Sequence, residues 1–311
     1  MKVWIPNNKN RLRKTILGSV PEVSTVRSII KKPVPKAIQR VLEETQEDLE
    51  SIKSTYERLG VEVLSFPTET MQDSINARNG FIVVDDQMYI ADRQGHLEDF
   101  YDSIEKKIFV GDKGSYCPNI YIHDNYAILD RLPNGAYQYW RTELGQKRKI
   151  ISAFNEGHSD GIYCNVADKI WLTNGNVLPY KKYWPDIPVL ELSTTNSGMV
   201  NDWEPYEKFL RSRELDKTQG RYLIYKHEMD NKDIEFVDHY LKNWVGYCDE
   251  TLFDLNISII DKNNVMAISQ NSLVYEKLET LGVKVHKVPF RHRMFWDAGI
   301  HCITNDLVRD A

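Results

Sequence analysis

Two stretches of the chain repeat one hydrophobic pattern. YERLGVEVLSFP (Tyr56–Pro67) and LETLGVKVHKVPF (Leu278–Phe290) each pass through Leu-Gly into alternating apolar positions. The pattern predicts a helix ending at a glycine, which takes the left-handed conformation at no steric cost, then a strand with one buried face. Leu49, Ile52, Tyr56 and Leu59 fall on one side of the first predicted helix. Four further segments place short apolar runs on either side of a polar turn and predict hairpins: Phe81–Asp92, Ile120–Asp130, Ile162–Asn174 and Asn256–Ser269. Hairpin, helix and further strand recur along the chain. That recurrence predicts a periodic α/β architecture rather than a doubly wound sheet.

Residues 200–245 break the pattern. WEPYEKFLRSREL and IEFVDHYLKNW read as helices, so this region is expected to be a mainly helical insertion. No conventional linker interrupts the 311 residues, and residues 1–311 are expected to form a single domain.

Composition narrows the function classes. Hydrophobic residues make up 41% and charged residues 27% of the chain, with a formal net charge of −5. Lys and Arg are dispersed, so the sequence offers no phosphate-binding surface and nucleic acid is excluded as the expected partner. No stretch has the apolar length of a membrane span, and the first residues lack the apolar core of a secretory signal. Cys117, Cys164, Cys248 and Cys302 lie far apart without a C-x-x-C pair, which suits reduced thiols in the cytoplasm. There is no G-x-G-x-x-G, no Walker loop and no H-E-x-x-H, so neither a cofactor nor a metal is expected. Homo-oligomerisation is left open.

Near the C-terminus Cys302 sits in FWDAGIHCITNDLVRDA. A structural cysteine needs only apolar surroundings, whereas a nucleophilic one needs a thiolate and a base brought from another segment. The segment GIHCITNDLVRD resembles the Gly-Phe-His-Cys-Trp-Thr strand of the amidinotransferase family, typified by glycine amidinotransferase. NEGHSDGIYCNVADKIWLTN lines up without a gap on that family's Asn-x-x-His-x-Asp segment and the hairpin after it. The resemblance runs from residue 12 to the end, with 178–245 unassigned. It implies the pentein fold, in which ββαβ modules form an α/β propeller around a central site.

By that resemblance Cys302 is the nucleophile, His158 the general acid/base, Asp160 the carboxylate that grips the guanidinium and Asn155 a substrate contact. In a strand, residues 158 and 160 would point to the same side, and His158 is expected to share a pocket with Cys302. Arg78 and Asn79 fall on the family's Pro-Arg-Asp, and Asn119 on the aspartate that orients the catalytic histidine. An asparagine can hold geometry but cannot stabilise an imidazolium by charge. A neighbour such as Asp124 could take over that role. Val177 stands where the family has a carboxylate-binding arginine, and Asp249 and Glu250 where it has small hydroxyl residues. Those exchanges favour an acceptor bearing an amine over one bearing a carboxylate. Asp297-Ala298-Gly299 replaces three glycines.

The chemistry is coherent. A guanidinium carbon is a poor electrophile; a thiolate can attack it if carboxylates hold the plane and a histidine protonates the departing amine. The expected function is amidino transfer from a guanidine donor to an amine acceptor through an amidino-cysteine. The rivals are a hydrolase of the same fold, of the deiminase or dimethylaminohydrolase type, and a binding module that has lost catalysis.

Overall fold

Among the described residues of the computed structural model, all four predicted hairpins are present. The described residues are 1–66, 68, 75–91, 97–111, 117–154, 158–174, 178–192, 230–241, 255–268 and 272–311. The first two strands are β1 (Leu12–Leu17) and β2 (Glu62–Ser65). The next are β3 (Phe81–Val84), β4 (Gln87–Ile90) and β5 (Lys107–Phe109), then β6 (Ile120–His123), β7 (Tyr126–Asp130) and β8 (Lys149–Ala153). They are followed by β9 (Tyr163–Val166), β10 (Ile170–Thr173) and β11 (Val189–Glu191). The last are β12 (Ser258–Asp261), β13 (Asn264–Ala267), β14 (Lys284–Lys287) and β15 (Thr304–Arg309).

These strands make five three-stranded sheets with one plan. Two antiparallel strands are joined by a third that is parallel to the middle one, as in β6-β7-β8. A parallel partner cannot be reached through a tight turn, so a helix carries the chain across. The fifth sheet, β15-β1-β2, draws its antiparallel pair from opposite ends of the chain.

Local chemistry accounts for the elements. The Lys36–Arg58 helix buries Leu49, Ile52 and Tyr56 and gives way to Gly60 at φ +75°; Gly282, at φ +72°, does the same before β14. The β3–β4 and β6–β7 turns place Asp85 (φ +55°) and Asp124 (φ +48°) in the left-handed region, which suits two-residue hairpins and which aspartate tolerates. Alternate residues of the inner strands enter different cores. Phe81 and Val83 pack with Ile16 and Leu307, whereas Ile82 and Val84 pack with Ile120 and Leu129. Tyr121 and Ile128 join Tyr163 and Trp171, and Val166 and Leu172 join Ile257 and Val265. Ile260 and Met266 then pack with Leu12 and Leu17, so the last core returns to the first sheet.

Basic residues bind the hairpin tips. Lys9 reaches Asp124 (2.9 Å) and Asp168, Arg11 reaches Asp261 (3.1 Å), and Arg148 reaches Asp85 (2.6 Å). Asp124 is therefore engaged at the far end of β6 from Asn119, about 16 Å away at strand rise. It is not placed to replace a carboxylate at position 119.

WEPYEKFLRSREL lies outside the described residues. Of the second expected helix, Asn231–Phe236 opens on a capping box from Asp230 and Asp233 and continues as one π-helical turn, Val237–Leu241. Among the described residues no helix is long and apolar enough to cross a membrane.

Candidate active site

Cys302 lies in the turn before β15 and is almost fully buried. Three other segments gather near it, two of them in direct contact with Cys302 through Arg78 and Asp160. The short Ala77–Gly80 helix carries Arg78 and Asn79, the 3-10 turn Cys117–Asn119 carries Asn119, and the 3-10 turn Ser159–Gly161 carries Asp160. The Cys117–Asn119 turn packs between the other two.

Cys302 Sγ lies 3.5 Å from Asp160 Oδ2, and the same oxygen accepts a 2.8 Å hydrogen bond from His301 Nδ1. The other oxygen, Asp160 Oδ1, is buried and has no hydrogen-bond partner among the described residues; Arg78 Nη2 and Asn119 Oδ1 are in the same condition. The Arg78 backbone donates to the Cys302 carbonyl (3.2 Å) and its Nε to the His301 carbonyl (2.9 Å). A cavity of about 80 Å³ is lined by Arg78, Asp160 and His301 together with Asn305, Asp306 and Arg309. Asn305 Nδ2 ties β15 to the Phe81 carbonyl (2.7 Å).

Electrostatics fix the ionisation states. Burial alone would raise the Asp160 carboxyl, but the hydrogen bond and charge of His301, with help from His158 and Arg78, hold it well below the usual range. Burial, and after it the Arg78 charge, push His301 below its ordinary value despite the Asp160 hydrogen bond. A histidine charge can act on Asp160 only while that ring is protonated. Near neutrality a neutral His301 donates Nδ1–H, so the hydrogen bond and Arg78 are what keep Asp160 ionised.

The expected relation between His158 and Asp160 is corrected in one respect. Strand alternation does not apply, because Ser159–Gly161 is a 3-10 turn and β9 starts only at Tyr163. Asp160 turns inward, while His158 is exposed and acts on Asp160 through its charge. The histidine in direct contact is His301, which reading the sequence passed over although it adjoins the cysteine. Asn155, Val177, Asp249 and Glu250 lie outside the described residues.

A second missed residue is Asn256, whose side chain lies against Cys302 Sγ at 3.0 Å. Its only sequence signal is its place at the head of a predicted hairpin. The replaced glycines also have a local account. Asp297 takes the left-handed conformation itself (φ +47°) and Ala298 fits fully buried, but at Gly299 an added Cβ would collide with Asn256 at 2.3–2.4 Å.

One cluster elsewhere has metal-binding residue types. His123, Asp124 and Asp168 bring ligand atoms within 4.8 Å of one another. His123 Nε2 makes a poorly aligned 3.2 Å contact to Asp168, and the Lys9 ammonium already bridges the two carboxylates. Cys117 and Cys164 form no disulfide, and burial pushes both thiols up to about 12, which leaves them protonated.

No protein-family model matches the sequence, and no curated protein is significantly similar to it. Solved structures are similar in fold. SxtG, an amidinotransferase of saxitoxin biosynthesis from Microseira wollei, superposes with a TM-score of 0.65 at 13% identity, covering 99% of this chain and 98% of that one. The inosamine-phosphate amidinotransferase StrB1 from Streptomyces griseus gives 0.66 at 14% identity, covering 99% and 97%. A dimethylarginine dimethylaminohydrolase from Pseudomonas aeruginosa gives 0.57 at 12% identity, covering 96% and 100%. The chain thus has a mixed α/β fold shared with pentein-superfamily enzymes, among which are both transferases and hydrolases.

Proposed function

We propose that this protein is an amidinotransferase that moves an amidino group from an arginine-like guanidine to an amine through an amidino-Cys302 intermediate. One observation carries the reading: a buried, ionised Asp160 that lines a cavity has one oxygen without a partner among the described residues and stands 3.5 Å from the Cys302 sulfur. A guanidinium whose N–H groups pair with that carboxylate holds its carbon within reach of the sulfur, which is the arrangement attack requires. His158, exposed beside Asp160, is assigned the proton transfers, because it can meet a departing amine at the surface. Arg78, Asn79 and Asn119 are assigned supporting roles at the site, and the family resemblance alone assigns substrate contacts to Asn155, Asp249 and Glu250, which lie outside the described residues.

The architecture supports this reading as a pentein-type propeller of five ββαβ modules in a single domain. The cores link successive sheets and return to the first. Hydrolysis through the same intermediate is the second reading, and the fold similarity to a dimethylaminohydrolase favours keeping it.

Intact-mass measurement after incubation with arginine tests the proposal. An amidino adduct on Cys302 that is discharged by added amines supports transfer. Discharge by water at the same rate with or without amines supports hydrolysis, and no adduct under any condition leaves a binding module.

A further inference from the structure

We propose that Asn256 is a positioning residue for Cys302: its side-chain amide shapes the turn that carries the cysteine and donates an N–H to the sulfur. The inference rests on the reading of Cys302 as the nucleophile and adds to it the group that holds the sulfur in place.

The Asn256 side chain is fully buried and its contacts point one way. Oδ1 accepts the backbone N–H of His301 (2.7 Å) and of Cys302 (3.1 Å). Backbone N–H groups only donate, so the oxygen must face them and the amide orientation is unambiguous. Nδ2 is thereby directed at Cys302 Sγ (3.0 Å) and at the Asp160 carbonyl (3.3 Å). One amide therefore joins the turn bearing the nucleophile to the turn bearing the guanidinium-gripping carboxylate. From the other side, Arg78 holds the carbonyls of the same two residues, His301 and Cys302.

The sulfur needs such a donor because a second polar neighbour, Asp160, works against ionisation. An ionised Asp160 at 3.5 Å favours S–H over the thiolate. The N–H of Asn256 favours the thiolate, since a hydrogen bond to an ionised acceptor is roughly twice as strong as one between neutral groups. Among the described residues, the charged and titratable groups of this cluster are Asp160, His301 and Arg78, with His158 acting on Asp160 and the buried Asp306 acting on His301 and Arg78. Asn256 is the neutral donor among them, and its contribution does not change with pH.

Gly299 is the complement of this arrangement. A Cβ there would sit 2.3 Å from Asn256 Oδ1 and 2.4 Å from its Cβ and Cγ. No side chain can occupy position 299 while the amide stays under the turn. The two residues, far apart in sequence, form one device.

The test reads the sulfur without substrate. In protein labelled with ¹⁵N-asparagine, one side-chain amide should shift with pH in step with Cys302 ionisation, which is read as ultraviolet thiolate absorbance relative to Cys302→Ser. That shift should vanish in Cys302→Ala. Absence of any asparagine amide that follows the thiolate overturns the proposal, and this arm needs no change at 256. In Asn256→Asp the carboxylate still accepts both backbone N–H groups but offers an oxygen to the sulfur. Where circular dichroism shows that variant folded, its thiol should hold its proton about tenfold more tightly, one pH unit, and an unchanged midpoint overturns the proposal. A linked amide and thiolate titration in a protein that forms no amidino adduct would defeat the transferase reading while leaving the Asn256–sulfur bond standing.

Discussion

His301 and Asp160 are joined by a 2.8 Å hydrogen bond through the carboxylate oxygen that also faces the Cys302 sulfur. The donor helps keep Asp160 ionised against its burial, so under the proposed function a guanidinium would meet an anion and not a carboxylic acid. Removing it has a signed consequence. In His301→Ala the carboxyl loses the interaction that lowers it while the burial that raises it persists. The acidic limb of the kcat/KM profile for guanidine should then move to higher pH by about one to three units. A limb that stays in place would show that Asp160 does not need His301.

Cys302→Ser should abolish turnover with the fold intact, because a serine hydroxyl without a strong base is scarcely ionised near neutrality. Asp160→Asn should act mainly on KM for the guanidine, since it removes the charge that grips the ground state. His158→Ala should lower kcat by about 10²–10⁴, the usual range for a lost general acid. Steady-state kinetics on the three variants, with circular dichroism for folding, separates the roles. Equal losses in all parameters would contradict them.

Acceptor choice is a further expectation. If, as the family resemblance implies, Val177 replaces a carboxylate-binding arginine and Asp249 and Glu250 replace hydroxyl residues of the pocket, a diamine should be preferred to glycine. The measurement is a competition between the two acceptors with arginine as donor, repeated in an Asp249→Ser, Glu250→Ser double variant. The preference should fall in the double variant.

Acid stability has an identifiable contributor at the hairpin tips. The His123 ring beside its carboxylate, and then Lys9, hold Asp168 down to about 2 from an ordinary 3.8 against partial burial. A carboxyl lowered in the folded state stabilises it above the ordinary value and loses that contribution as pH falls through the folded one. Wild type should therefore lose stability between pH 3.8 and about 2 more steeply than Asp168→Asn, as read from urea midpoints across that window.

Trp171 anchors an aromatic cluster, fully buried with Trp184 at 4.7 Å, His123 at 5.2 Å and Tyr180 at 5.3 Å between ring centroids. Trp171→Ala should cost about 3–5 kcal/mol through the cavity it leaves. Denaturant unfolding should show a lower midpoint at an unchanged slope.

Much of the fold could be read in the chain because it is encoded over short distances. Polar turns at Asp85 and Asp124, glycines at 60 and 282 and the buried face of Leu49, Ile52 and Tyr56 each act on neighbouring residues. The segments bearing Arg78, Asn119, Asp160 and Cys302 were legible too, through motif resemblance. What could not be read depends on residues remote in sequence. The pairing of β1 with β15 is one such case, and the succession of cores that returns to the first sheet is another. A 3-10 turn in place of a strand sends Asp160 inward and leaves His158 outside, so His301 is the histidine against the carboxylate. Asn256 gains its meaning only because Gly299 leaves room for it beneath the cysteine. Periodicity and turn chemistry specify elements along the chain; hydrogen-bond partners and ionisation states arise where those elements meet in space.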